Sequence, residues 1–223
     1  MSDEFVLYGS PHSQFTYKVA LMLRLAGEPF SFRYISFQKG MHRTKEFQAM
    51  SPWREVPILK HGGRTLVQSA AIVEYLAATL GKFDGQPGEQ RQHVREWLYW
   101  DSHRLAPPIH AMYGVHLAER KLLPIVVEPA IADYHRKRTD VALATLDERL
   151  GAEQAGHGGD FLVGAAPTIA DICCYADVSF AELSGFSLAA RANVDRWARL
   201  VTALPGFKTT FDLMPMADIE VGP

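Results

Sequence analysis

The hydrophobic and polar positions along the chain fall into two regimes. In the first, "EFVLY" opens on a short apolar run, and Phe5–Tyr8 reads as a buried strand. From Phe15 the period changes: Val19, Met22, Leu23 and Ala26 lie at i, i+3, i+4 and i+7, one face of a helix that Gly27 stops. Phe30, Phe32 and Tyr34 then alternate with Ser31 and Arg33, a second strand. Strand, helix and strand within about 35 residues have the length of a right-handed unit with parallel strands. Residues 38–54 are polar and irregular, with at most a short helix over 44–50. "VPILK" is the next strand, "HGGR" a tight hairpin with glycines where positive φ is wanted, and "TLVQ" the returning strand. Ile72, Val73, Leu76, Ala77 and Leu80 stripe one more helix, ending before Gly81.

In the second regime we expect no strand. "GKFDGQPGEQ" (81–90) reads as a linker. Val94, Trp97, Leu98 and Leu105 mark a helix that should end or kink at Pro107–Pro108. A long helix carries Leu143, Leu146 and Leu150 and should end near Leu150, with "GAEQAGHGGD" as a loop. Thr168 followed by Asp171 is a near variant of the capping box. Ile169, Ile172, Cys173, Ala176 and Phe180 continue at helical spacing with few charges, a central buried helix. Trp197, Leu200 and Val201 give a last helix, stopped at Pro205–Gly206. The expected architecture is an α/β domain over 1–80, a linker over 81–90 and an all-α domain of about five helices over 91–223.

Composition narrows the function classes. The 223 residues hold 23 Lys and Arg against 25 Asp and Glu, a net charge of −2. That balance shows no electrostatic footprint for nucleic acid or an anionic membrane. The apolar runs are shorter than the roughly 20 residues needed to span a bilayer. The two cysteines, Cys173 and Cys174, are adjacent, so no disulfide framework exists and a reducing cytoplasm fits best. They read as buried structural thiols. Nine histidines lack tight ligand spacing, and no metal is expected.

The element order β-α-β-(α)-β-β-α suggests a thioredoxin-like domain. Taken alone, Pro57 reads as an ordinary trans proline at a strand edge; the topology favours a cis Val56–Pro57 bond instead. The chain resembles the cytosolic glutathione transferases over nearly its whole length. "EVPIL" is similar to that family's cis-proline strand, "QSAAIVEYLA" to its turn and helix, and "FLVGAAPTIADI" to the capping box of its helical domain. The likeness is to serine-type and bacterial members, with the subclass unassigned.

The resemblance implies glutathione as co-substrate, a small hydrophobic electrophile as acceptor, a homodimer and a role in detoxification. Glutathione is an extended tripeptide with two carboxylates, one amine and one thiol, and an added-strand mode would use the backbone of Val56. Ser69, at a helix start, would hold the γ-glutamyl carboxylate with helix N–H groups, and Gln68 would bond the same group. The other reading of that pair is a capping serine and a strand-end glutamine. His42 and Arg43 resemble a pair that serves the glycyl carboxylate; a solvated basic loop with Lys39 and Lys45 is the alternative. Glu55 and Ala70 depart from the family pattern, the first adding an acid and the second lacking an arginine. Asp101 resembles an acid that reaches the γ-glutamyl amine in a neighbouring subunit; a simple interhelical polar residue is the alternative. Ile109 and Tyr113 are expected to line the acceptor pocket between the domains.

The strand-to-helix turn "YGSPHSQFTYKV" (8–19) carries no cysteine, and the resemblance implies that the sulfur arrives with glutathione. Ser13 is expected to stabilise its thiolate, with Ser10 as runner-up. Two rival activities fit the same turn: a glutathione-dependent disulfide reductase or peroxidase, and a glutathione-binding protein without turnover.

Overall fold

The structure is a computed structural model that describes residues 4–223. It has two compact units: residues up to Lys82 together with Leu204–Pro223, and Phe83–Ala203.

The first unit is built on a five-stranded sheet in the order β4-β3-β1-β2-β5. Strand β1 (Phe5–Gly9) is followed by α1 (Gln14–Ala26) and β2 (Phe30–Tyr34), and β1 and β2 are parallel. Ser13 caps α1, its Oγ accepting from the Thr16 N–H at 3.2 Å, and Gly27 closes the helix at φ 73°. A 3₁₀ turn (Met41–Arg43) and α2 (Lys45–Met50) occupy the polar segment. β3 (Ile58–His61) and β4 (Arg64–Val67) form the hairpin, turned by Gly62 and Gly63 at φ 54° and 80°. α3 (Ser69–Leu80) completes the unit and packs beside α1 on the sheet.

The second unit is helical: α4 (Glu89–Trp100), a π-helical stretch (Asp101–Leu105), α5 (Ala106–Glu119), α6 (Pro129–His157), α7 (Ile169–Leu183) and α8 (Ala192–Thr202). The expected kink at the prolines takes a definite form. Pro107 and Pro108 have no N–H for the carbonyls of His103 and Arg104, so the helix widens there. The Ala106 N–H bonds the Asp101 carbonyl five residues back, and the helix then continues. α7 is the buried centre. Its capping box forms, with Asp171 Oδ2 accepting from the Thr168 N–H at 2.8 Å. Asp171 Oδ1 also accepts from Leu162 N–H at 2.8 Å and Trp197 Nε1–H at 2.9 Å, tying the preceding loop and α8 to α7. Burial pushes the Asp171 carboxyl up from its ordinary value, against the pull of these donors. Cys173 and Cys174 are fully buried on the same helix.

Three expectations fail for identifiable reasons. Residues 151–157 are not a loop: α6 runs on to His157 and stops at Gly158, φ 64°. Gly151 is a packing glycine, since a Cβ there would lie 2.9 Å from Asn193 Nδ2 on α8. The helical unit does not extend to residue 223. After α8 the chain returns to the first unit, forms a short helix α9 (Thr210–Leu213) against α1, and ends in a strand, β5 (Ile219–Val221). β5 pairs antiparallel with β2, Ser31 opposite Glu220. Ser31, expected on a polar face, is therefore buried; its Oγ meets the carboxylates of Glu4 and Glu220.

Candidate functional site

The sheet register brings the sequence-predicted residues of the first unit to one edge. Tyr8 of β1 lies opposite Ile58 of β3, and Ile58 lies opposite Val67 of β4. So the end of β1 with its turn at Ser10–Ser13, the start of β3 with Val56–Pro57, and the end of β4 with Gln68–Ser69 sit side by side. Gly9 pairs with Tyr34, and the Gly9 carbonyl accepts from Ile35 N–H at 2.7 Å, which sends the 36–55 segment over the same edge. An apolar cluster of Ile35, Phe47, Val56 and Ile58, with Tyr8, Met50 and Val67 against it, holds that segment down.

The turn after β1 is tightly made. Ser13 N–H donates to the Ser10 carbonyl at 3.0 Å, and Ser10 N–H to Thr16 Oγ1 at 3.4 Å. Gly9 is needed for this, because a Cβ would lie 2.1 Å from Thr16 Cγ2. Ser10 Oγ accepts from His12 N–H at 3.3 Å and is 2% exposed; Ser13 is 7% exposed. Both serine oxygens already accept a backbone N–H, and each keeps its hydroxyl hydrogen to donate. Only Ser13 does so at the N-terminus of a 13-residue helix, where the backbone field favours an anion. His12 is half-buried, with its ring edge-on to Phe211 of α9 at 5.3 Å, and burial lowers its pKa from the ordinary 6.5.

Across the edge, the Val56–Pro57 peptide is cis. Gln68 stands at the N-terminus of α3 with φ 70°, a left-handed value that a non-glycine residue adopts at a cost. No side chain caps that helix. Ser69 is therefore its first residue, with the hydroxyl beside uncapped backbone N–H groups. Gln68 Nε2–H donates to Glu55 Oε2 at 3.3 Å. In the 3₁₀ turn, Arg43 Nε–H donates to His42 Nε2 at 3.3 Å, so His42 is the acceptor and Arg43 the cation of the pair. Partial burial and Arg43 both lower the His42 pKa.

In the second unit, two of the expected residues are fully buried. Asp101 is 0% exposed, at the first position of the π-helical stretch. That burial favours the interhelical polar reading of Asp101 over contact with a neighbouring subunit's ligand. Ile109 is also 0% exposed and belongs to the core. Tyr113 is buried edge-on to Phe180 at 4.8 Å, and burial raises its hydroxyl to about 12, so it stays protonated. Open grooves lie elsewhere on this unit. One of about 490 Å³ runs along Val115, Ala118, Ile125, Val126, Pro129 and Arg136. Another of about 460 Å³ is lined by Trp100, Arg104, Tyr134 and Arg138. Among the described residues no three His, Cys, Asp or Glu gather into a metal-binding set, and no helix is long and apolar enough to cross a membrane.

Residues 12–79 match the family model for the glutathione S-transferase N-terminal domain. A glutathione S-transferase 2 from Anopheles gambiae is 30% identical, over 92% of this chain and 93% of its own length. The chain is a glutathione transferase family member. A maleylacetoacetate isomerase from Rhizobium meliloti is 31% identical, over 85% of this chain and 87% of its own. The solved glutathione S-transferase from Pseudomonas fluorescens superposes with a TM-score of 0.81 at 27% identity, covering 93% of this chain and 99% of that one. Family membership agrees with the thioredoxin-like first unit and the helical second unit, and supports a glutathione-dependent enzyme.

The sequence reading missed the C-terminal segment at the turn. Thr210 Oγ1–H donates to the Pro11 carbonyl at 2.9 Å. The alternation of Ile219 and Val221 was the available signal, but three residues are too few to read as a strand.

Proposed function

We propose that this glutathione transferase family member binds glutathione along the sheet edge and activates its thiolate for attack on a small hydrophobic electrophile. The observation that carries the reading is the convergence of three features at that edge: a capping serine with a free hydroxyl hydrogen, a strand end, and an uncapped helix N-terminus. Glutathione lies extended beside β3, bonded by the Val56 backbone. Its γ-glutamyl carboxylate docks on the N–H groups of α3 with the Ser69 hydroxyl. Arg43, with His42 as its partner, takes the glycyl carboxylate. Gln68 and Glu55 together present an amide and a carboxylate suited to the free amine, which gives the Glu55 departure a use.

The chemistry follows from charge. A free thiol ionises near pH 8.5, so little thiolate exists at neutral pH. The Ser13 hydroxyl donating to sulfur, inside the field of α1, favours the ionised form. The thiolate then attacks a soft electrophilic carbon, forming a C–S bond while the leaving group departs or a proton is taken up. The active form is a homodimer, and no metal takes part.

The maleylacetoacetate isomerase among the relatives favours a second reading. The same thiolate adds reversibly to an activated double bond, the adduct rotates, and elimination returns glutathione unchanged. Saturable glutathione binding, followed by turnover with aryl halides, hydroperoxides and conjugated unsaturated acids, tests both. Conjugation carries the first reading and net isomerisation the second. Reduction of hydroperoxides alone, or binding without turnover, contradicts both.

A further inference from the structure

The turn that carries Ser13 is held from two sides, and only one of them is local. From within, Thr16 Oγ1 accepts the Ser10 N–H, and Ser13 caps α1. The second hold comes from residues about 200 positions later. Thr210, 4% exposed, donates its hydroxyl to the carbonyl of Pro11, the residue between the two serines' turn bonds. Phe211 packs edge-on to His12. Thr209 caps α9 by accepting from the Asp212 N–H at 3.4 Å, which fixes Thr210 on the first turn.

The segment is itself fastened along its length to the first unit. Tyr17 Oη–H donates to the Lys208 carbonyl at 2.8 Å. Arg24 donates from Nε to the Gly206 carbonyl and from Nη1 to the Gly222 carbonyl, each at 2.9 Å. Tyr34 N–H donates to Asp218 Oδ1 at 2.8 Å, and Arg33 pairs with Glu220 at 2.8 Å beside β5. A chain end laid down by so many backbone-directed bonds is a fixed part of the scaffold. The Thr210 hydroxyl on the Pro11 carbonyl is a buried bond from this segment to the turn.

We propose that Thr210 is a positioning residue for the thiolate-stabilising turn, acting on Ser13 through the Pro11 carbonyl. The proposal rests on the reading of Ser13 given above. Removing the bond leaves the Pro11 carbonyl buried without its donor and frees the turn to shift. A hydroxyl that must donate along one line to a sulfur loses most from a small displacement.

The test uses the full chain and reduced glutathione, with Thr210→Val, Thr210→Cys and Thr210→Ser. Two quantities are read: amide exchange at Ser13, whose N–H bonds the Ser10 carbonyl, and the pKa of the bound thiol from thiolate absorbance. Valine keeps the shape and loses the donor. It should speed Ser13 exchange about tenfold and raise the bound thiol by about one pKa unit, a tenfold loss of thiolate. Cysteine, a weak donor of similar size, should fall between, and serine should restore both values. Glu220→Gln, which weakens the strap far from the turn, should change neither. Unchanged Ser13 exchange in Thr210→Val overturns the proposal, and so does a thiol shift that serine fails to restore. If glutathione bound to the wild-type chain titrates like the free thiol, the reading of Ser13 falls. Faster Ser13 exchange in the valine variant would still support the clamp itself.

Discussion

Ser13 has two roles that one substitution removes together and a second can separate. Its oxygen caps α1 through the Thr16 N–H at 3.2 Å, and its hydrogen is assigned to the glutathione thiolate. Ser13→Ala removes both. Loss of the cap costs about 1 kcal/mol, which for a chain of this length lowers Tm by roughly 2–4 °C. Loss of one hydrogen bond to a charged group costs about 1.5–3 kcal/mol, or about one to two pKa units on the bound thiol. Ser13→Gly separates the two, since glycine at a cap costs only a few tenths of a kcal/mol. It should melt near wild type yet show the full thiol shift. Ser13→Asp should keep the cap but place a negative charge beside the sulfur, raising the thiol further. Thermal melts and thiolate absorbance against pH, on the same samples, read both quantities. A Ser13→Gly chain that titrates like wild type would refute the assignment, and the same shift in Ser10→Ala would move the role to Ser10.

Other consequences follow from the same geometry. Gly9→Ala forces a Cβ into Thr16 and should destabilise by about 1–3 kcal/mol in urea unfolding, with glutathione affinity falling because the turn moves. Arg43→Ala should weaken glutathione binding with little change in melting temperature, read by calorimetric titration, since Arg43 lies on an exposed turn. Burial lowers the His12 pKa below 6.5, so the unfolded chain binds more protons than the folded one as pH falls through that window. Stability should therefore drop on acidification below about pH 6.5, and His12→Asn should flatten that slope in urea titrations between pH 7 and 5. Asp171→Ala orphans buried donors on Leu162, Thr168 and Trp197, each costing about 1–3 kcal/mol. That sum is comparable to the whole stability of a domain, so Trp197 fluorescence should report an unfolded helical unit at room temperature.

What was legible in the sequence was local. The period change at Phe15, the glycines of "HGGR" and the Thr168–Asp171 pair each state their element within a few residues, and β1, α1, the hairpin, α3 and α7 all lie where those signals put them. What was not legible depends on contacts far apart in the chain. Gly151 resembles a helix breaker until Asn193 is known to press on it. β5 is too short to announce itself and exists because β2 offers an open edge. The site follows the same division. Ser13, Val56, Gln68 and Ser69 were expected from the family resemblance, and the sheet register places them along one edge. Asp101 and Ile109 lie on helices whose burial no period decides, because the π-helical stretch turns the faces between them. Thr210 reaches the turn only through the return of the chain end.

The central claim is that glutathione lies along this edge with its sulfur on Ser13. Determining the structure of the chain with glutathione bound tests it most directly. The account predicts the sulfur within hydrogen-bond reach of Ser13 Oγ, the backbone of Val56 paired with the peptide, and the γ-glutamyl carboxylate on the N–H groups at the start of α3. A sulfur held by Ser10, or a carboxylate seated away from Ser69, would contradict it.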